Sequence, residues 1–336
     1  MFVFKGVGCF ILFFALSFKT YSWGFYAHKL INEHAIYALP NPLAAFYKEN
    51  FDYIKSKATN PDLRRSLIEN EAQRHYFDTE KYGDSAIYKL PKHWMEAYNL
   101  VNKDTMHAHG TVPWTIQEVC FELTKAFKEM NVNAILKLSA DLGHYVGDIN
   151  VPLHTTFNYN GQFTEQKGIH AFWESRLPEL FANKYSFWVG VAQYEKNIPA
   201  RAWNAVERSH TAVDSVLGFE RKLNEKFSSE MKYTYEQRGK MYVKTYSEEY
   251  SHLYHTLLGG QVERQLSLSI KMTADLWYTC WVNAGQPTLP LKVNEENKDD
   301  EPKDPKPIIP LDFLREEALF SCPERKTSCV AGCCGY

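Results

Sequence analysis

The sequence predicts an all-α fold, because its apolar residues recur at helical intervals. On residues 135–149 the spacing of three and four places one stripe of apolar side chains on a single helix face: Ile135, Leu138, Leu142, Tyr145 and Ile149. Similar spacing predicts further helices over 28–38, 62–75, 115–130, 200–230 and 236–284. Alternation typical of strands is nearly absent, so we expect several helices packed around one core.

The bulk composition is that of a globular protein with a substantial core. The 336 residues are 45% hydrophobic and 23% charged, and the formal net charge is −2. Nothing in this balance indicates nucleic-acid binding, which would have to depend on a local basic patch. No internal repeat is found, and the helical pattern runs on as one unit.

Residues 1–22 are predicted to be a secretory signal peptide. Lys5 provides a charged start, residues 7–18 form an apolar run, and residues 20–22 resemble a small-residue cleavage site. The run is shorter than the roughly 20 apolar residues that a membrane span needs. We therefore expect a secreted protein, periplasmic or extracellular, with Trp23 as its first mature residue and no transmembrane span after cleavage.

The composition changes after the helical domain, which we place at residues 23–287. Residues 288–336 begin with a stretch rich in Pro, Lys, Asp and Glu, which predicts a disordered linker. A short Cys-rich tail follows, and in an exported chain its cysteines are expected to form disulfides: Cys322, Cys329, Cys333 and Cys334. Cys120 and Cys280 lie alone in apolar helical segments and are interpreted as small core residues.

The stretch LGHYVGDINVPLHTT carries the first chemical signal. His144 and Asp148 are one turn apart on the predicted 135–149 helix, so both side chains leave the same side of it. Pro152 must end that helix, and His154 can then fold back near Asp148. Taken alone, this stretch is better explained as a hydrogen-bonded His–Asp pair at a helix end than as a metal site.

A second stretch, GIHAFWESR, makes a metal site the better interpretation. His170 and Glu174 are again four positions apart, so three imidazoles and two carboxylates fall within 31 residues. Both groups are suitable zinc ligands, and a catalytic zinc keeps one position open for water. Upstream, His28, Asp78 and His109 are further candidate zinc ligands. They can serve as ligands only if the fold brings them close to the other imidazoles and carboxylates.

The order of these residues resembles that of the zinc-dependent phospholipase C and single-strand-specific nuclease superfamily. Its members are secreted all-α enzymes with three zinc ions. The resemblance covers about Trp23 to Gln286, and the linker and Cys-rich tail lie outside it. It is carried by Trp23, His28, Asp78, His109, the stretch HYVGDINVPLH and the stretch HAFWE.

The resemblance implies a ligand set for three zinc ions. One ion would be held by Asp78, His109, His144 and Asp148, a second by Trp23, His28 and Asp148, and a third by His154, His170 and Glu174. Asp148 would bridge two ions, and Asp78 and Asp148 are the residues expected to be most important for catalysis. His107 could replace His109 as a ligand, whereas His75 is expected to be structural.

The resemblance also implies a reaction, the hydrolysis of phosphoric ester bonds. Water held between zinc ions loses its proton near neutral pH and attacks phosphorus. Glu174 and the short gap from His154 to His170 resemble the phospholipase C branch, so the expected substrate is a phospholipid headgroup. No stable protein partner is implied.

Two other functions remain open from the sequence. A single-strand-specific nuclease acting on DNA or RNA would need rings for base stacking, and Trp94, Trp114 and Phe157 are available. A non-catalytic zinc-binding secreted protein is the other alternative. The full ligand set argues against it, because a structural site is closed by four ligands and needs no cluster.

Overall fold

Helices make up most of the described chain, which confirms the predicted all-α class. The structure is a computed structural model that describes residues 24–83 and 85–290. The predicted signal peptide, Trp23, most of the predicted linker and the Cys-rich tail lie outside the described residues. Within the ranges given, no helix is both long and apolar enough to cross a membrane.

The first part of the chain is a series of helices joined by short turns. They are α1 (Gly24–Tyr37), α2 (Leu43–Glu49), α3 (Phe51–Lys57), α4 (Asn60–Arg64), α5 (Ala86–Lys89), α6 (Trp94–Leu100), α7 (Lys103–His109), α8 (Val112–Lys128) and α9 (Val132–Ile149). Short 3₁₀ turns lie at Ala72–His75, Thr79–Tyr82, Pro152–Thr155 and Ala182–Lys184.

The second part adds more helices and one β-hairpin. The elements are α10 (Ile169–Ala171), a π-helical turn (Phe172–Arg176), α11 (Leu177–Phe181), α12 (Ile198–Thr211), α13 (Val213–Asn224), α14 (Ser229–Lys232), β1 (Tyr233–Arg238), β2 (Met241–Tyr246), α15 (Glu248–Leu257) and α16 (Gln261–Asn283). The two strands pair antiparallel.

Helices α8 and α9 form an antiparallel pair at the centre of the fold. Pro113 stands in the first turn of α8, where its missing N–H costs nothing. The Asn131 side chain caps α9 by accepting from the Ala134 N–H at 3.1 Å. Met130, just before that cap, has a φ of +56°, which reverses the chain between the two helices.

The core of the domain lies where α8, α9 and α16 meet. The Trp277 ring stacks on Tyr47 with centroids 4.7 Å apart, and its Nε1–H donates to the Ser139 carbonyl at 3.0 Å. Cys120 and Cys280 are buried in the same cluster, and the Cys280 thiol donates to the Cys120 carbonyl at 3.4 Å. Both cysteines are core residues, as their apolar helical context predicts.

Two of the predicted helical segments are partly wrong. Over 62–75 the α-helix ends at Arg64, and a single 3₁₀ turn follows at the end of the segment. Over 236–284 the first eleven residues belong to the hairpin, since aromatic and β-branched side chains fit strands better than helices. Gly239, with a φ of +61°, supplies the left-handed conformation between the strands.

Helices α1 and α9 approach each other so closely that residue 143 must be glycine. A Cβ atom on Gly143 would lie 1.7 Å from Asn32 Oδ1. The buried Asn32 amide donates to the Ile54 carbonyl at 3.3 Å and to the Ala140 carbonyl at 3.1 Å, so it ties α1 to α3 and α9. The close packing therefore fixes how α1 lies against α9.

Replacing Gly143 by alanine should lower the free energy of unfolding by about 2–4 kcal/mol, because the methyl group displaces Asn32 and leaves buried polar groups unpaired. Gly218→Ala is the matched control, since Gly218 lies within α13 and a Cβ there meets nothing within 4 Å. That change should raise the same free energy by up to about 1 kcal/mol. Denaturant unfolding measures both, and equal shifts in one direction would contradict the packing argument.

Candidate metal centre

Several parts of the chain bring imidazole and carboxylate side chains to one buried place. His28 lies in the second turn of α1, and His144 and Asp148 lie near the end of α9. His154 follows in the next 3₁₀ turn, because Pro152 lacks the N–H that would continue α9. All four of these ligand candidates are buried.

A first group of ligand atoms is formed by His28, His144 and Asp148, all within 4.8 Å of one another. His28 Nε2 lies 3.4 Å from Asp148 Oδ1, whereas His144 Nε2 lies 3.2 Å from Asp148 Oδ2. Gly147 makes room for this arrangement, since a Cβ there would lie 2.8 Å from His28 Nδ1. The two oxygens of Asp148 thus face two different imidazoles, as a bridging carboxylate requires.

A second group is formed by Asp62, His75 and His144. Asp62 Oδ1 lies 3.6 Å from His144 Nε2 and 3.7 Å from His75 Nδ1. His75 Nδ1 is also 2.9 Å from Asp148 Oδ2 and 3.0 Å from His144 Nε2. The first and second groups therefore share His144 and meet at the Asp148 carboxylate.

A third group is formed by His154, His170 and Glu174. Glu174 Oε2 lies 3.1 Å from His154 Nε2 and 2.6 Å from His170 Nε2. His154 Nδ1 is 3.8 Å from Asp148 Oδ1, which confirms that the chain folds back toward Asp148 after α9. The third group is thereby joined to the other two.

The structure brings six of the nine expected ligands together, namely His28, His144, Asp148, His154, His170 and Glu174. Asp78 and His109 lie in none of the three groups found among the described residues. They form a pair of their own, with His109 Nδ1 3.4 Å from Asp78 Oδ2 and the Asp78 N–H donating to the His109 carbonyl at 2.8 Å. His107 is exposed on α7. Trp23 lies outside the described residues.

Sequence reasoning missed Asp62 and set His75 aside as structural. The two residues are joined by an irregular segment, so no helical spacing relates them to each other or to α9. A usable signal was nevertheless present, because Glu71 and His75 are four positions apart like the two recognised pairs. In the structure Glu71 Oε1 lies 3.7 Å from His75 Nε2, on the side of the ring that faces away from Asp148.

Backbone carbonyls hold two of the imidazole rings in place. The Nδ1–H of His144 donates to the Ala58 carbonyl at 2.9 Å, and the Nδ1–H of His154 donates to the His75 carbonyl at 2.5 Å. A carbonyl can only accept, so each ring presents its Nε2 to the carboxylates of the centre. Imidazoles that bind metals are held by outer hydrogen bonds of this kind.

The electrostatics of the centre favour cations. Burial raises the pKa of Asp148, but His144 and His154 outweigh burial and hold that pKa well below its ordinary value. Burial lowers the pKa of His144, but Asp148 and Asp62 raise it to about 9. The pKa of His28 falls to about 4, first through burial and then through the neighbouring His144. Asp148 therefore stays ionised inside the protein and attracts positive charge.

The donor set fits zinc. Imidazole nitrogen and carboxylate oxygen are both zinc ligands, and with bonds of about 2.1 Å two tetrahedral ligand atoms lie about 3.4 Å apart. Four separations in the first two groups are close to that value, at 3.4 Å for His28–Asp148, 3.2 Å for His144–Asp148, 3.6 Å for His144–Asp62 and 3.7 Å for His75–Asp62. His75 Nδ1 lies closer, at 2.9 Å from Asp148 and 3.0 Å from His144. So many ionisable groups in one buried place would be costly unless cations balanced them.

A helical domain with groups of imidazole and carboxylate ligands at its centre is a metalloprotein of the zinc-hydrolase type. The family model described as zinc-dependent phospholipase C matches residues 27–237, more than half of the chain, so the protein belongs to that family. It is a zinc-dependent, phospholipase C-like hydrolase. The expected superfamily is thus confirmed. Among curated proteins the comparison finds no match.

Zinc binding should weaken as the pH falls from about 8 to about 6. Burial lowers the pKa of His144 and His154, but Asp148, with Asp62 at the first ring and Glu174 at the second, raises both to about 9. Below that pH the ion held by each ring must displace one proton, so the affinity at each of these two sites should fall about tenfold per pH unit. Competition with a chromophoric chelator measures the slope, and an affinity independent of pH would contradict the ligand roles of both histidines.

Proposed function

We propose that the protein is a secreted phosphodiesterase that hydrolyses the ester bond between glycerol and phosphate in phospholipids, using three zinc ions. The observation that carries the proposal is that three ligand groups lie around Asp148, which belongs to the first group and is contacted by His75 of the second and His154 of the third. Such a cluster concentrates positive charge where a phosphodiester anion must be attacked. The family membership supports a phospholipid as the substrate, and the signal-like residues 1–22 support secretion.

The geometry supports a revised ligand set. We assign one ion to Asp62, His75, His144 and Asp148, a second to Trp23, His28 and Asp148, and a third to His154, His170 and Glu174. Asp62 and His75 take the positions expected for Asp78 and His109, because they and not the latter pair lie against His144 and Asp148. Asp148 keeps its role as the bridge.

The place of Trp23 in this set depends on the start of the mature chain. Trp23 itself is not described, but its neighbour Gly24 begins α1 beside the third ligand group, where a Cβ would lie 2.8 Å from Glu174 Oε1. Cleavage before Trp23 would free an α-amino group with a pKa of roughly 8, which loses its proton readily on binding metal. Cleavage of the signal peptide would then also create the last ligand of the metal centre.

When bound, the zinc ions supply positive charge opposite the phosphate oxygens and make water acidic enough to act as a nucleophile near neutral pH. The residues of the chain hold that charge in place. The Asp148 side chain is 2% exposed, whereas those of Asp62 and Glu174 are 27% and 16% exposed. The substrate phosphate would therefore approach from the side of Asp62 and Glu174, while Asp148 stays shielded from bulk water.

The substrate assignment has a direct assay. Purified mature protein should release phosphorylated headgroup from phosphatidylcholine, hydrolyse bis-nitrophenyl phosphate, and lose both activities on addition of a chelator. Restored zinc should restore both rates. Single-stranded DNA is the third substrate, because the exposed Phe163 stacks on Phe157 at 5.3 Å and could hold a base. Cleavage of DNA without cleavage of lipid would replace the proposed function by the nuclease.

The revised ligand set predicts different outcomes for two pairs of variants. Asp62→Asn and His75→Asn should each lose about one zinc ion per chain and at least about 100-fold in hydrolysis, since even outer-shell changes cost 10- to 100-fold. Asp78→Asn and His109→Asn are the matched controls and should keep the zinc content of the parent. Elemental analysis decides between them. Loss of zinc from the second pair alone would restore the original assignment.

A further inference from the structure

The hairpin of β1 and β2 is rooted on the helical segment that carries two of the candidate ligands. At its base the Tyr246 ring stacks on Phe172 with centroids 3.8 Å apart. The Arg176 guanidinium donates to the Tyr246 carbonyl at 3.1 Å and to Glu236 at 2.9 Å. Arg176 follows Glu174 by two residues, so the base of the hairpin is fixed beside the third ligand group.

The same face of the hairpin is buried at the base and exposed toward the turn. The register pairs Tyr233 with Tyr246 at the base and Tyr235 with Lys244 further out, so these side chains share one face. Gln237 pairs with Tyr242 next to the turn and continues the row. The Tyr246 ring is 8% exposed, whereas Tyr235 and Tyr242 are 67% and 70% exposed.

The outer half of the hairpin combines these rings with positive charge. Between Gln237 and Ser247 the sequence contains Arg238, Lys240 and Lys244 and no acidic residue. Met241, on the opposite face from the tyrosines, is 46% exposed. Six residues per strand give the hairpin a length of about 20 Å. An apolar and basic tip therefore lies about 20 Å from the base of the hairpin, which is fixed beside the third ligand group.

We propose that this hairpin docks the protein on a phospholipid surface, with the tyrosine rings at the level of the headgroups and the basic residues against lipid phosphates. The inference rests on the proposed function, because a phospholipid substrate is found in a lipid surface and the hairpin would bring the enzyme to that surface. Tyrosine suits this position because its ring is apolar and its hydroxyl remains in water. Each basic residue near an anionic surface adds further attraction. The family match ends at residue 237, inside β1, so it covers only part of this element.

The charge of the tip favours lipid over a second copy of the chain. A two-stranded hairpin has two free edges that could pair with another hairpin. Pairing two copies through the tip would bring Lys240 and Lys244 of one chain close to those of the other. A phosphate surface is complementary to the same residues. Self-association is therefore an outcome of the test that counts against the proposal.

The test uses full-length mature protein and phosphatidylcholine vesicles with and without phosphatidylserine. The double variant Tyr235→Ser/Tyr242→Ser should bind both kinds of vesicle at least about tenfold more weakly in co-sedimentation, since binding scales with buried apolar area. Trp188→Ser is the matched control, because Trp188 is an aromatic side chain that is 91% exposed and belongs to neither strand. It should bind vesicles like the parent. Lys240→Glu/Lys244→Glu should lose the part of binding that depends on phosphatidylserine.

Hydrolysis separates this inference from the proposed function. Both hairpin variants should cleave soluble bis-nitrophenyl phosphate at the parental rate. The tyrosine variant should cleave phosphatidylcholine more slowly in both kinds of vesicle, and the lysine variant only in vesicles that contain phosphatidylserine. If no form cleaves either diester, the proposed function fails, and vesicle binding still tests the hairpin. Unchanged vesicle binding by both hairpin variants would overturn docking, as would an equal loss in Trp188→Ser. Docking would also be overturned if the parent protein self-associates and does not bind vesicles, and if the tyrosine variant abolishes that self-association.

Discussion

The carboxylate of Asp148 is contacted by imidazoles from four parts of the chain, and the arrangement of the domain depends on this contact. His28 reaches it from α1 and His144 from within α9. His75 reaches it from the 3₁₀ turn Ala72–His75, and His154 from the 3₁₀ turn that follows α9. A buried carboxylate is tolerated only where positive charge and hydrogen bonds surround it. The segments that carry these imidazoles must therefore meet at one point, and the helices are placed accordingly.

Small residues and one proline make that meeting possible. Gly143 admits Asn32, and Gly147, one turn later, admits the His28 ring, so α1 can lie directly against α9. Pro152 ends the helical run just after α9 and turns the chain so that His154 faces back toward Asp148. None of these residues offers a ligand atom from its side chain. They determine where the candidate ligands lie, and a substitution at any of them would disturb the centre without removing a donor.

The sequence predicted the two pairs of candidate ligands that lie within one run of helical turns, on α9 and on α10 with the π-helical turn that continues it. The pairs His144–Asp148 and His170–Glu174 are one helical turn apart, and a spacing of four translates directly into proximity. Asp62 and His75 could not be placed in this way, since the intervening chain leaves the α-helix at Arg64. Their positions depend on tertiary contacts that no local period encodes. The hairpin was missed for a related reason, because its tyrosines alternate over only a few residues and were absorbed into a longer helical pattern.

A buried network of ion pairs and hydrogen bonds, and not helical spacing, holds the segment that carries Asp62 and His75 in position. Arg64 donates to both oxygens of Asp141 at 3.1 and 2.9 Å, and Tyr145 donates to Glu71 at 2.5 Å. Arg64 ends α4 and Glu71 belongs to the irregular segment that follows it, whereas Asp141 and Tyr145 lie on the face of α9 that also carries His144 and Asp148.

Separating such a pair would leave an uncompensated charge in the interior, which costs several kcal/mol. The network therefore holds the segment against α9 from behind, and the ligands on it face the centre independently of any bound ion. Arg64 also lies 3.3 Å from Glu71, so its charge is paired with Asp141 and Glu71, and the negative charge of Asp62 and Asp148 remains available to a metal. Because the segment is already ordered, the free energy of cation binding is not reduced by the entropic cost of ordering the chain.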